Sequence, residues 1–166
     1  MNKLIQKMTQ FLNSFTSRLN YGSTEFKDNL FLAEELISED KHKSILIKDH
    51  EVLFGYKIHP STLNYWGAMH GGAISTLVDI ASTIAITGLD KNHRKNISIE
   101  LSTKFLSPVV PDLKVVYILC SIQKIGKNVA FSTIEVIEPK NLKVIVTASH
   151  TKAMLDAHWE IENKRI

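Results

Sequence analysis

The chain has 166 residues, 44% hydrophobic and 22% charged, with a net charge of +3 and one cysteine. That length and balance describe one folded domain with its own apolar core, large enough to need no covalent staple. They exclude a strongly basic nucleic-acid binder and an intrachain disulfide framework, and no run of about 18 uninterrupted apolar residues is present to span a bilayer.

Charge is unevenly placed. Residues 1–24 carry Lys3, Lys7 and Arg18 and no acidic residue, whereas the remainder holds 17 basic and 17 acidic side chains. Leu4, Ile5, Met8, Phe11, Leu12, Phe15 and Leu19 recur at helical spacing and predict an amphipathic N-terminal helix. Its basic, Ser/Thr-rich, acid-free composition fits an organelle-import segment, so a mitochondrial location is one expectation and a cytoplasmic one the alternative. The same pattern fits a helix docked on the domain, or a membrane-surface helix, for which three cations are few.

The run EFKDNLFLAEEL (Glu25–Leu36) predicts a short helix. SILIKD and EVLFGYKI follow as two strands around the turn signal Asp49-His50. Pro60 forces its predecessor, His59, into extended geometry, which predicts a loop up to Met69. An apolar run predicts a central helix from Gly71 to Thr87, closing near Gly88. DKNHRK (Asp90–Lys95) is a polar loop. Four strand-like runs then follow: NISIELSTKFL, LKVVYILCSIQKI, VAFSTIEVI and KVIVTASHTKAML. Short links at Pro111-Asp112, Gly126-Lys127 and Glu138-Pro139 predict hairpin pairing of neighbours in sequence. The expected organisation is an arm over 1–43, a domain over 44–155 and a polar tail over 156–166. With a single helix apolar enough to cover an antiparallel sheet, the fold class is α+β: about six strands curled around one long central helix, with an extra N-terminal helix. Cys120 lies in an apolar run and reads as a buried, inert thiol.

The candidate chemistry lies between Asn64 and Ala85. At about 100° per residue, Ile74, Leu77, Ala81, Ile84 and Ala85 cover one side of the central helix. Asp79 shares a narrow polar stripe with Gly72, Ser75, Thr76, Ser82 and Thr83. A lone carboxylate in such surroundings is partly desolvated, which favours a raised pKa and base or nucleophile chemistry. A structural Asp bonded to a neighbouring loop is the equal alternative. His70-Gly71-Gly72 precede the helix, where first-turn N–H groups have no intrahelical acceptor and attract negative charge. Gly71 N–H is therefore a candidate oxyanion donor, or the glycines only make a tight turn; His70 alone reads more readily as a packed or capping residue than as a catalytic one. No metal-ligand spacing, nucleophile elbow or phosphate loop occurs, so no metal or cofactor is signalled.

The stretch NYWGAMHGGAISTLVD (Asn64–Asp79) closely resembles the signature of hotdog-fold acyl-CoA thioesterases, of the PaaI type and the type of the small animal thioesterase superfamily member. The resemblance continues through SIELSTKFLSP, GKNVAFSTIEV and ASHTKAML, covering roughly Ser44 to Leu155. It implies an acyl-CoA thioesterase of lipid metabolism that needs no cofactor. Asp79 then matches the carboxylate that activates water or attacks the thioester, and Gly71 the oxyanion donor. Asn64 and His70 match the pair that orients and polarises the thioester carbonyl, and Ser98 a residue that helps hold the water. Gly72 and Ser107 become candidate substrate contacts, and Lys127 and Lys152, with Lys104 and Lys124, candidate partners for the coenzyme A phosphates, although each reads more readily as a solvated strand or turn lysine. The family's sites are shared between subunits, so a dimer, or a dimer of dimers, is implied. The chain departs from the usual family pattern after Ser107-Pro108, where Pro111-Asp112 replaces a Gly-Asp or Gly-Glu turn. A catalytically weak hotdog protein that binds acyl-thioesters or serves as an assembly subunit is the alternative, and a hydroxyacyl-thioester dehydratase a more distant one.

Overall fold

The computed structural model describes residues 9–10, 12–13, 23–37, 44–45 and 47–155. Most of the N-terminal arm, and with it the import expectation, lies outside the described residues, as does the tail beyond Leu155. Residues 9–10 and 12–13 are helical, and Leu12 is buried in the main core.

The described residues contain eight strands and one long helix. The strands are β1 (Leu30–Ala33), β2 (Leu36–Ile37), β3 (Ser44–Ile45), β4 (Glu51–Lys57), β5 (Asn96–Phe105), β6 (Val115–Ile125), β7 (Val129–Ile137) and β8 (Val144–Met154). Six form an antiparallel sheet in the order β1-β4-β6-β7-β8-β5, while β2 and β3 pair separately. The central helix, Gly71–Leu89, lies in the curl of the large sheet. This is the expected α+β hotdog arrangement.

Period-two alternation divides the apolar residues of the sheet between two sides. Val52, Phe54 and Tyr56 of β4, with Val116, Ile118 and Cys120 of β6, belong to the core around the helix. Leu53 and Leu119 belong to a smaller cluster with Leu36 and Ile137. From the helix, Leu77, Val78, Ala81, Ile84 and Ala85 are all essentially inaccessible. Each large aliphatic side chain so buried contributes about 1.5–3 kcal/mol relative to exposure. By length and composition this helix is apolar enough to cross a membrane, but the sheet wraps it, and it is the core helix. Cys120 is fully buried, and burial pushes its thiol far above the ordinary range.

Three expectations require correction. The run Glu25–Leu36 is not a helix: a π-turn over Ser23–Lys27 leads into strand β1, which pairs with β4 through Leu30↔Tyr56 and Phe31↔Gly55. Its apolar residues face both sides of the sheet, so strand pairing buries more of them than one helix face would. Next, β5 and β6 do not form a hairpin. The segment 106–114, with Pro108 and Pro111, carries the chain across the sheet; β6 pairs with β4 and β7, and β5 pairs with β8 at the edge. Lastly, the helix continues through Gly88 to Leu89, and Asp90 caps it. Asp90 also accepts three hydrogen bonds from Arg94, whose guanidinium reaches the Gly126 and Lys127 carbonyls and ties this helix end to the β6–β7 turn.

Gly55 leaves room for the Phe31 ring, since a Cβ at that position would collide with it. Gly55→Ala is expected to destabilise the fold by about 1–3 kcal/mol in denaturant melts. In a Phe31→Ala background the same change costs far less; equal costs in both backgrounds would show that the ring is not the constraint.

Candidate active site

The first half of the site is the N-terminal end of the central helix. His70 is its N-cap, and its Nδ1 accepts the Gly72 N–H at 2.9 Å. The Gly71 N–H, at the first helical position, has no intrahelical acceptor and carries the positive end of the helix dipole. Ahead of it, Asn64 Oδ1 accepts from Trp66 N at 2.9 Å and Ala68 N at 3.2 Å, folding the loop back on itself. These two donors fix the orientation of the amide, so the Asn64 Nδ2 hydrogens are the part not used by the loop. Asn64, Ala68, Gly71, Phe105, Leu106 and Ser107 line a groove of about 400 Å³. The Phe105 ring packs directly over Gly71, where a Cβ would lie 3.2 Å from Phe105 Cζ.

The second half is Asp79, whose side chain is 44% exposed. Lys152 Nζ lies 2.9 Å from Asp79 Oδ1, Ser98 Oγ 3.1 Å, Thr83 Oγ1 3.3 Å and His150 Nε2 3.6 Å. Ser98 Oγ is also 3.1 Å from Lys152 Nζ and 3.0 Å from His150 Nε2. His150 Nδ1 then meets Ser82 Oγ at 2.7 Å, back on the helix. Partial burial pushes the Asp79 carboxyl up, but the Lys152 ammonium and its hydrogen bond, with His150 and Ser98, outweigh this and hold it below the usual carboxylate range. Burial, then the nearby Lys152 charge, lowers His150 to about 4 against the opposing pull of Asp79, so this imidazole is neutral at physiological pH. Burial also lowers Lys152, against the pull of Asp79.

The structure therefore brings Asn64, His70 and Gly71 together at one end of the helix, and Asp79 with Ser98 on its flank. Eight residues of helix, about 12 Å, separate Gly71 from Asp79. Four readings change. Asp79 is shifted down rather than up, because the cation beside it comes from a strand 73 residues further along the chain. Lys152 is not a rim lysine for phosphates: it is only 2% exposed and paired with Asp79. The Gly72 N–H is used by His70 and is not open to a substrate. Lys127 is exposed on the β6–β7 turn held by Arg94, at the opposite helix end from the groove. Ser107 does line the groove, with its hydroxyl accepting from Lys143 Nζ at 3.0 Å. Lys104 lies on a separate shallow pocket with Ser102, Thr147 and Ser149.

His150 was not singled out from the sequence, and Ser82 and Thr83 were read only as members of the polar stripe around Asp79. The signal was present in β8: Ala148, His150, Lys152 and Met154 alternate onto its buried face. A His and a Lys at core-facing strand positions demand polar partners. Among the described residues, no group of three or more His, Cys, Asp or Glu is arranged to hold a metal.

Comparison with known proteins agrees with this architecture. Residues 67–145 match the thioesterase superfamily. The chain is 30% identical to the acyl-coenzyme A thioesterase 13 of Mus musculus over 96 residues, 58% of this chain and 67% of that protein. It is 30% identical to a putative esterase of Caenorhabditis elegans over 135 residues, covering 81% of this chain and 73% of the relative. Its fold matches the crystal structure of zebra fish thioesterase superfamily member 2 with a TM-score of 0.70 at 19% identity, over 91% of this chain and 98% of the other. The chain thus belongs to the thioesterase superfamily, with its hotdog fold, and is a thioester hydrolase.

Proposed function

We propose that the chain hydrolyses acyl-CoA thioesters to the free acid and coenzyme A, at sites each built from two copies. The observation that carries this reading is the division of the central helix into an uncommitted donor end, Gly71 N–H with Asn64 Nδ2, and a half-exposed carboxylate about 12 Å along the same helix. Donor and carboxylate are too far apart to act on one carbonyl within a chain. The edge strand β5 supports the approach of a second copy, because among the described residues it pairs only with β8 and leaves Ile97, Ile99 and Phe105 exposed. Across such an interface the donor end of one copy faces the Asp79 of the other.

In this mechanism the thioester carbonyl lies in the groove and accepts from Gly71 N–H and Asn64 Nδ2, with His70 supporting the helix start. Asp79 of the other copy takes a proton from a water at its open side, while Ser98, bonded to Asp79, Lys152 and His150, holds the carboxylate that activates it. The water oxygen bonds to the carbonyl carbon, and the oxyanion is stabilised by the helix N-terminus, an effect worth several kcal/mol in acyl transfer. Collapse breaks the carbon–sulfur bond, and the proton passes to the departing sulfur. The acid-free N-terminal segment supports delivery to mitochondria, and the burial of Leu12 in the core supports retention of the arm in the mature protein.

A thiol-release assay on the full chain, from acetyl-CoA to palmitoyl-CoA and phenylacetyl-CoA, tests the activity. Turnover of at least one substrate is expected, with kcat reduced about a hundredfold or more in Asp79→Asn. No turnover on any of them, or an unaffected Asp79→Asn variant, contradicts the reading. Mass spectrometry of the mature N-terminus from cells is expected to find a start upstream of Leu12; a start beyond it contradicts retention of the arm.

A further inference from the structure

The four groups that surround Asp79 approach the same atom. Lys152 Nζ, Ser98 Oγ, Thr83 Oγ1 and His150 Nε2 all converge on Oδ1, within 2.9 to 3.6 Å, and none of these contacts involves Oδ2. The side chain is nonetheless 44% exposed. One oxygen is thus tied to the sheet while the carboxylate keeps an open side. Lys152 is the strongest of the four contacts and the least exchangeable. It is the shortest, it joins an amine to a carboxylate, and the residue is 2% exposed on the core-facing side of β8 between His150 and Met154. A lysine buried in this way has given up its hydration, and Asp79 and Ser98 replace it.

We propose that Lys152 is a positioning residue: it pins Oδ1 of Asp79, so that Oδ2 is the oxygen presented to water and thioester. The inference rests on Asp79 as the reacting carboxylate of the proposed hydrolysis. Ser98 lies within hydrogen-bond distance of both partners, so it holds the pair together on the Oδ1 side of Asp79. His150 closes the arrangement from behind, linking Ser98 to Ser82 and so returning the network to the helix that carries Asp79. Two connections to one helix, through Asp79 and through Ser82, fix the rotation of the carboxylate relative to β8.

The sign of the pH dependence follows from the groups facing Asp79. β8 contributes Lys152 and His150, β5 the uncharged Ser98 hydroxyl, and the helix itself Thr83. At physiological pH His150 is neutral and Lys152 is the cation beside Asp79; His150 takes up its own charge only near pH 4, where it adds to the effect of Lys152. Activity that needs ionised Asp79 is present above its pKa and lost as pH falls through it. Lys152 moves that loss to lower pH, and removing the charge moves the acid limb upward.

The test combines titration and kinetics on the full-length protein. Carboxyl carbon NMR, with the Asp79 signal assigned by its loss in Asp79→Asn, gives the Asp79 midpoint without reference to activity. In Lys152→Gln the midpoint is expected to rise and the acid limb of kcat/KM to rise with it. In the same variant kcat falls about tenfold or more while KM changes less than about threefold, and Lys152→Arg recovers most of kcat and the low midpoint. An unmoved midpoint and acid limb in Lys152→Gln overturn the proposal, as does a KM rise at unchanged kcat, the signature of a phosphate contact. Should Lys152→Gln fail to fold, the wild-type titration still decides: a midpoint at or above the ordinary carboxylate range overturns it. If the wild-type protein turns over no acyl-CoA, the proposed function fails by itself, and the NMR titration still reports on the pair.

Discussion

A carboxylate on an otherwise apolar helix inside a wrapped sheet has to be answered by polar groups from that sheet. Lys152, His150 and Ser98 provide the answer. The register of β8 against β5 and β7 sets their positions, since it places Ser98 opposite Lys152 and Ser132 opposite His150. A slip of one residue would turn His150 and Lys152 to the outer face and leave Asp79 without its cation. The ion pair and the strand register therefore specify one another. The core around the helix supplies most of the stabilisation, while this polar cluster fixes which of the many ways of packing an apolar helix on a curved sheet is adopted.

Much of the fold was legible because its signals are local. β5 to β8 are alternating runs bounded by Gly, Pro and Asn turns, and the observed strands lie within about two residues of the expected ones. β1 was misread because LFLA has no alternation to show: Leu30 and Leu32 pack toward the helix side, and Ala33 toward the smaller cluster. Flanked by Asp28 and Glu34-Glu35, such a run carries helix-favouring composition and no strand period. The β5–β8 pairing was likewise hidden, because a pairing between sequence-distant strands leaves no mark on either one.

The candidate site divides along the same line. Asn64, His70, Gly71 and Asp79 lie within one stretch of chain, so their spacing carried them. Lys152 lies 73 residues from Asp79, and its role depends on a contact no local pattern encodes. Its burial was the readable part: a strand whose core face reads Ala, His, Lys, Met needs a partner for its charge. Taking that lysine for a rim contact missed the period-two argument that the neighbouring apolar residues already made.

The central helix thus has two functional ends separated along its length, a donor end at Gly71 and an anchored carboxylate at Asp79. The account holds that neither end completes a site within its own chain. Mixing two inactive variants, Asn64→Ala and Asp79→Asn, tests this most directly. If each site draws its carboxylate and its donor end from different copies, a mixed dimer contains one site with both residues intact. Exchange between equal amounts of the two variants is then predicted to restore roughly a quarter of wild-type thiol release. Subunit exchange confirmed by mass-tagged chains, with no recovery of activity, would contradict the account.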